Sequence, residues 1–256
     1  ELMIALAIGS VLVAGAVLVY SQSRTTHTVS DAIARLQENG RYVFSVMGPD
    51  IQLAGYYGFT NAPDDLHYMQ NGSSASVLSP FRMQKASDAV AGLGKAQDCG
   101  NNFAVDVVAS IEGGNNKYDL TCGAAGGGAR DGSDTLTIRR ASNAPADGKG
   151  EADATKVQLL LSRLSPTAQY VFADGKLPTS TTLKAGLVQV RDLLVHTYYI
   201  SKDSTSPNTA GLPSLRVKTL TNGPSFDKSG DAEVMRGVED LQVQFGIDTA
   251  DYDGDD

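Results

Sequence analysis

The 256-residue sequence has no tryptophan, only three histidines and two cysteines, and fewer basic than acidic side chains. Its net charge of −8 argues against nucleic-acid binding, because proteins that bind nucleic acids present a basic face. The motifs GxSxG, HExxH and GxxxxGK[ST] are missing, and the histidines His27, His67 and His196 are scattered along the chain. We therefore expect no enzymatic activity, no nucleic-acid partner and no resident cofactor.

Charge is also missing from the start of the chain, where no charged side chain follows Glu1 until Arg24. About 20 apolar residues in a helix cross the hydrocarbon core of a bilayer, so residues 2–20 predict a membrane helix. A cleaved signal peptide would have a basic region before the apolar run and a small-residue cleavage site after it, and neither is present. An ordinary signal anchor and a more specialised membrane helix both stay open.

The helical pattern continues beyond Arg24 as one apolar stripe. Because the ring of Pro49 collides with the carbonyl of Ser45, we expect the helix to end or kink at Gly48-Pro49, after running unbroken from Glu1. If residues 50–55 resume it, the element approaches roughly 80 Å in length. Small or apolar residues recur in steps of three and four at Val29, Ile33, Leu36, Gly40, Val43 and Met47.

The two cysteines, Cys99 and Cys122, predict one disulfide, since an even count in an exported domain usually pairs; two free buried thiols are the alternative. The glycine-rich residues 122–132 are too flexible for regular structure.

The rest of the chain predicts a β-rich head. In residues 238–247 an apolar row alternates with polar residues, and the stripe of the long helix would cover that row. The predicted fold class is therefore α+β, with a long N-terminal helix packed against an antiparallel sheet. Residues 142–154 and 201–213 predict loops, the first being a possible subdomain boundary. The predicted strands are residues 103–110, 117–122, 135–140, 156–163, 186–192, 194–201, 214–220 and 238–247.

Glu1 followed by LMIALAIGSVLVAGAV resembles the N-terminal segment of type IV pilins and type II secretion pseudopilins. Residues 35–58 and 237–248 are similar to segments of PilW-type minor pilins, while the middle of the chain matches only loosely. The resemblance implies that the given chain begins at the fifth residue of the mature protein. It also implies three parts: a transmembrane and filament-core half of the helix (1–23), an amphipathic half (24–55) and a head (56–256).

For Glu1 the resemblance implies a role in assembly. In this family the N-terminal amine is commonly methylated, and the glutamate is thought to pair with the amine of an adjacent subunit. An unpaired carboxylate in hydrocarbon costs several kcal/mol, so a cationic partner would relieve that cost and set the register. A glutamate that simply lies in the headgroup region is the alternative.

The function that the resemblance implies is a structural minor pilin that primes a type IV pilus and forms part of its tip complex. Its partners would be other minor pilins, the major pilin and a large tip adhesin. Its location would be the inner membrane, with a periplasmic head, and then the extracellular pilus tip. A minor pseudopilin at the tip of a type II secretion system, and a membrane-anchored periplasmic binding protein, are the alternatives.

The acidic end of the chain carries Asp251, Asp253 and Asp255 at alternating positions, a spacing that calcium can use. Gly254 comes too early for an EF-hand loop, so a solvated acidic turn is the favoured interpretation. Because the resembled family usually adds another strand at this point, we expect the natural chain to continue past Asp256.

Overall fold

The computed structural model describes residues 1–60, 66–78, 99–100, 103–143, 145, 150–165, 169–207, 211–220 and 230–246. A long helix is followed by a sheet, so the fold class is α+β, as the sequence predicts. The chain divides into two compact units, Glu1–Gly48 and Pro49–Asp256. The elements are α1 (Leu2–Gln52), β1 (His67–Gln70), β2 (Ser73–Leu78), β3 (Ile111–Gly114), β4 (Thr135–Ala141), β5 (Gln158–Ser162), β6 (Tyr170–Phe172), β7 (Val188–Ser201), β8 (Ser214–Thr219) and β9 (Asp231–Arg236).

Helix α1 has 51 residues and contains Pro49, so the helix does not end at Gly48-Pro49 and continues through residues 50–52, the alternative that the sequence left open. Proline cannot donate a backbone hydrogen bond to Ser45, but its own carbonyl still accepts one. The amide of Leu53 donates to the carbonyl of Pro49 at 3.1 Å, which extends the helical pattern beyond the proline. The boundary between the two units falls at the same place, between Gly48 and Pro49.

Strand β7 is the longest strand, with 14 residues. The sequence predicts two strands here, residues 186–192 and 194–201, but no turn-forming residue separates them and they form one strand. Residues 188–192 pair with β5, residues 193–198 with β4 and residues 196–201 with β8. Because β4 and β8 both pair with residues 196–198, they lie on opposite edges of β7.

The sheet runs in the order β2–β1–β6–β5–β7–β4–β3, with β8 paired to β7 and β9 to β8. Among the described pairings all are antiparallel except that of β1 with β6. The sheet is therefore mixed, a small departure from the antiparallel sheet that the sequence predicts. The predicted strands at residues 135–140, 156–163 and 214–220 are confirmed as β4, β5 and β8.

Both faces of β5 are buried, which explains its unbroken run of leucines. Side chains alternate between the two faces of a strand, so neighbouring leucines enter different clusters. Leu159 and Leu161 join the larger core cluster, which contains Tyr57. Leu160 joins a second cluster with Phe172 and other residues.

Three predicted strands are wrong in the described part of the chain: residues 103–110, 117–122 and 238–246. In the first, backbone carbonyls bind a side chain instead of a neighbouring strand, because the buried guanidinium of Arg139 donates to the carbonyls of Phe103 and Ala109. In the last, two isolated bonds to Asp134 take the place of a strand ladder. The amide of Val243 donates to the carboxylate of Asp134 at 2.7 Å, and the amide of Asp134 donates to the carbonyl of Leu241 at 2.9 Å. Residue 247 lies outside the described residues.

The predicted disulfide is confirmed: Cys99 and Cys122 are bonded and both are buried. The glycine-rich residues that follow have no helix or strand, as predicted. Gly126 has φ +60°, and a Cβ at this position would collide with the carbonyl oxygen of Asp203. Only glycine fits this close approach, because the backbone carbonyl cannot move aside as a flexible side chain could.

A buried charge cluster joins β7, β8 and β9. The carboxylate of Asp231 accepts bonds from Arg216 Nε at 2.8 Å, Lys218 Nζ at 2.9 Å and the hydroxyl of Tyr199 at 2.8 Å. Burial of Asp231 opposes its ionisation, but the hydrogen bonds from Arg216, Lys218 and Tyr199 outweigh burial, so its pKa is lowered. Lys218 also donates to the carbonyl of Gly123, which ties the glycine-rich segment to the sheet.

Candidate functional site

The first candidate site is the apolar start of α1. Residues 2–20 carry no charge, and apart from the half-buried Gly9 all of them are exposed; Met3, for example, is 86 % exposed. By its length and composition this helix could cross a membrane. So much exposed apolar surface is costly in water, so this segment requires lipid or other apolar helices around it.

Glu1 lies directly before α1, and its side chain is exposed. Its backbone carbonyl accepts a bond from the amide of Ala5 at 3.2 Å, so this residue takes part in the hydrogen bonding of the helix. The carboxylate therefore lies immediately before the charge-free residues 2–20.

The second half of α1 carries the predicted apolar stripe. Val29 is 52 % exposed, Ile33 is 51 % exposed and Leu36 is 74 % exposed, whereas Met47 is buried. Residues 238–246, which the sequence predicts as the strand that this stripe covers, form no strand. Phe44, which the sequence analysis did not select, is 75 % exposed and adds to this apolar surface.

A second candidate site lies within the unit Pro49–Asp256, and sequence reasoning missed it. The carboxylate of Asp50, in the last turn of α1, is bonded to three side chains of the sheet; we call Asp50, Arg140, His196 and Tyr198 the Asp50 cluster. Arg140 Nε donates to Oδ1 at 2.8 Å. His196 Nδ1 lies 2.5 Å from Oδ2, and the hydroxyl of Tyr198 donates to Oδ2 at 2.6 Å. The clue in the sequence was weak, because His196 and Asp50 are 146 residues apart.

The pleat of the sheet explains why these three side chains meet. Ile138 of β4 pairs with His196 of β7, and Leu136 pairs with Tyr198. Paired residues and residues two apart along a strand share a face, so Arg140, two residues after Ile138, lies on the same face as His196 and Tyr198. Asp50 binds to this face, and its side chain is only 6 % exposed.

The bonds of the Asp50 cluster favour the ionised carboxylate. Burial alone would raise the pKa of Asp50, but the bonds from His196, Tyr198 and Arg140 outweigh burial and lower its pKa to about 2. Burial and the bond to Asp50 raise the pKa of the Tyr198 hydroxyl, so it keeps its hydrogen. Since the ionised carboxylate can only accept, Nδ1 of His196 carries the hydrogen that it shares with Asp50.

The residues after α1 are held to the sheet by other bonds. The amide of Gly55 donates to the carbonyl of Arg139 at 3.1 Å, and the amide of Ala141 donates to the carbonyl of Tyr56 at 2.7 Å. The hydroxyl of the buried Tyr57 donates to the carbonyl of Val107 at 2.7 Å. We call residues 53–57 the junction segment.

The potential metal ligands of this chain are its aspartate, glutamate and histidine side chains. Among the residues that the structure describes, no group of three or more His, Cys, Asp or Glu side chains could hold a metal ion. The calcium candidates Asp251, Asp253 and Asp255 lie outside the described residues. His27 lies in α1 and His67 in β1, far apart in the chain.

Comparison with known proteins gives no match: no family model, no curated protein and no solved structure matches this chain. A functional assignment therefore depends on the chain's own residues and geometry.

Proposed function

We propose that this chain is a structural minor pilin, which primes assembly of a type IV pilus and forms part of the complex at its tip. The observation that carries the proposal is the exposed, charge-free segment 2–20, which opens a 51-residue helix followed by a β-sheet head. Such a segment can occupy two apolar environments in turn, a bilayer before assembly and a bundle of like helices afterwards.

The position of Glu1 supports the same proposal. A carboxylate at the edge of an apolar segment is costly unless it finds a cation. In a filament of staggered helices the N-terminal amine of a neighbouring subunit is such a cation, and the pairing sets the axial register. Other minor pilins, the major pilin and a large tip adhesin are the proposed partners.

The disulfide of the head supports a location outside the cytoplasm. The disulfide between Cys99 and Cys122 is a bond that persists in oxidising compartments such as the periplasm. We accordingly propose an inner-membrane location with a periplasmic head before assembly, and an extracellular location at the pilus tip afterwards.

The proposal is tested by affinity purification from membranes of the natural host, comparing the wild-type chain with Glu1→Ala and with Glu38→Ala. Glu38 lies on the same helix and is also exposed, so it is a matched control. We expect other minor pilins to co-purify with the wild type and with Glu38→Ala, and less of them with Glu1→Ala. Recovery of secretion components instead would favour the pseudopilin alternative, and recovery of neither would overturn the proposal.

A further inference from the structure

The last turn of α1 and the junction segment are joined to the sheet in two different ways. The junction segment is attached mainly through backbone bonds to β4, those of Gly55 with Arg139 and of Tyr56 with Ala141. Asp50 is attached through one carboxylate to two adjacent strands, to Arg140 of β4 and to His196 and Tyr198 of β7. The Asp50 cluster therefore connects the helix end to the middle of the sheet rather than to one strand.

Detachment of the helix end would remove the carboxylate partner of three side chains at once, although Arg140 would keep its bonds to the carbonyl of Ala141 and to Asn143. The side chain of Arg140 is 11 % exposed and the side chain of Asp50 is 6 % exposed. Tyr198 is 1 % exposed as a residue, so its hydroxyl cannot readily exchange the carboxylate for water. Leaving a buried charge or donor unsatisfied costs more than the net gain of one ordinary hydrogen bond.

We propose that the Asp50 cluster is a latch that keeps the last turn of α1 and the junction segment closed on the sheet. Without it, residues 49–56 open locally, while the buried Tyr57 stays in the core and the sheet stays folded. The latch is a property of the unit Pro49–Asp256 and does not depend on the function proposed above.

Hydrogen exchange of the full chain in detergent micelles, read residue by residue, tests the latch. Two amides report on the junction segment: that of Gly55, bonded to Arg139, and that of Tyr56, bonded to the carbonyl of Leu53. The amide of Leu193, bonded to Val157 in the centre of the sheet, is the internal reference. Local opening accelerates exchange only in the part that opens, whereas a global loss of stability accelerates it everywhere.

In Asp50→Asn we expect the two junction amides to exchange at least about tenfold faster, with Leu193 changed much less. The matched control is Asp31→Asn, because Asp31 lies on the same helix and pairs with Arg35 at an exposed position. Unchanged junction amides, or an equal acceleration at Leu193, would overturn the latch. Tyr198→Phe removes one donor and keeps the ring, so if Asp50→Asn does not fold, this variant decides by the same criteria, with a smaller acceleration expected.

Discussion

The buried charge cluster of β7, β8 and β9 gives a quantitative prediction for Asp231→Asn. The side chain of Asp231 is 0 % exposed, and its cations Arg216 and Lys218 are 3 % and 1 % exposed. Removing one partner of a buried ion pair costs about 3–5 kcal/mol, because the other charge is left without compensation. Four partners remain here. Arg216 keeps Glu233 at 3.7 Å, the hydroxyl of Thr205 and the backbone carbonyl of residue 231, and Lys218 keeps the carbonyl of Gly123. We therefore expect a loss at the low end, about 3 kcal/mol.

The assay is urea unfolding of the full chain in detergent, followed by far-UV circular dichroism because the chain has no tryptophan. The matched control is Asp119→Asn, whose ion pair with Lys117 has a similar length, 2.8 Å, but side chains 54 % and 64 % exposed. Exposed pairs contribute about 0–1 kcal/mol. If Asp231→Asn lowered the free energy of unfolding no more than Asp119→Asn does, burial would not determine how much the charge cluster around Asp231 stabilises the fold. That result would refute the reasoning.

Three further predictions follow from the disulfide, the Asp50 cluster and the apolar segment. Replacing Cys99 and Cys122 by serine lowers the free energy of unfolding by roughly 3 kcal/mol, and reductant then has no further effect; an unchanged urea midpoint would contradict this. Because the folded pKa of Asp50 is depressed from 3.8 to about 2, about 2 kcal/mol of stability is present above pH 5 and is lost as the pH falls towards 2. Acid titration of unfolding checks this, and Asp50→Asn must lack that loss. Val13→Lys costs roughly 2.5–3.5 kcal/mol in a bilayer and reduces recovery in the carbonate-washed membrane pellet, whereas equal recovery of Val13→Lys and Leu36→Lys would contradict a membrane span at residues 2–20.

The parts of the fold that follow from local pattern could be predicted from the sequence. The charge-free residues 2–20 and the alternation in β4 and β8 each carry their signal within one short segment. By contrast, β9 was missed because its sequence DAEVMR has too many charges for a typical strand. Two of its three charged residues face opposite charges on β8, where Lys218 pairs with Asp231 and Arg216 with Glu233, and a single segment cannot reveal its partner.

The two candidate sites also differ in whether a local sequence pattern points to them. Glu1 could be selected as a candidate from the sequence because the charge-free residues 2–20 follow it directly. The Asp50 cluster was not, because Asp50 and Tyr198 are 148 residues apart and meet only through the register of β4 and β7. The helix does not end at Gly48-Pro49, where the sequence predicts an end or a kink, since a proline removes one donor but leaves the carbonyl that Leu53 uses.

The measurement that tests the central claim most directly is mass spectrometry of filaments sheared from the surface of the natural host. Cells would express the wild-type chain, Glu1→Ala or Glu38→Ala in place of the native copy. We expect wild type and Glu38→Ala in the filament fraction in small amounts relative to the major subunit, and Glu1→Ala retained in the membrane. If the wild-type chain is absent from filaments and filament number does not change when it is deleted, the chain is not a pilus subunit.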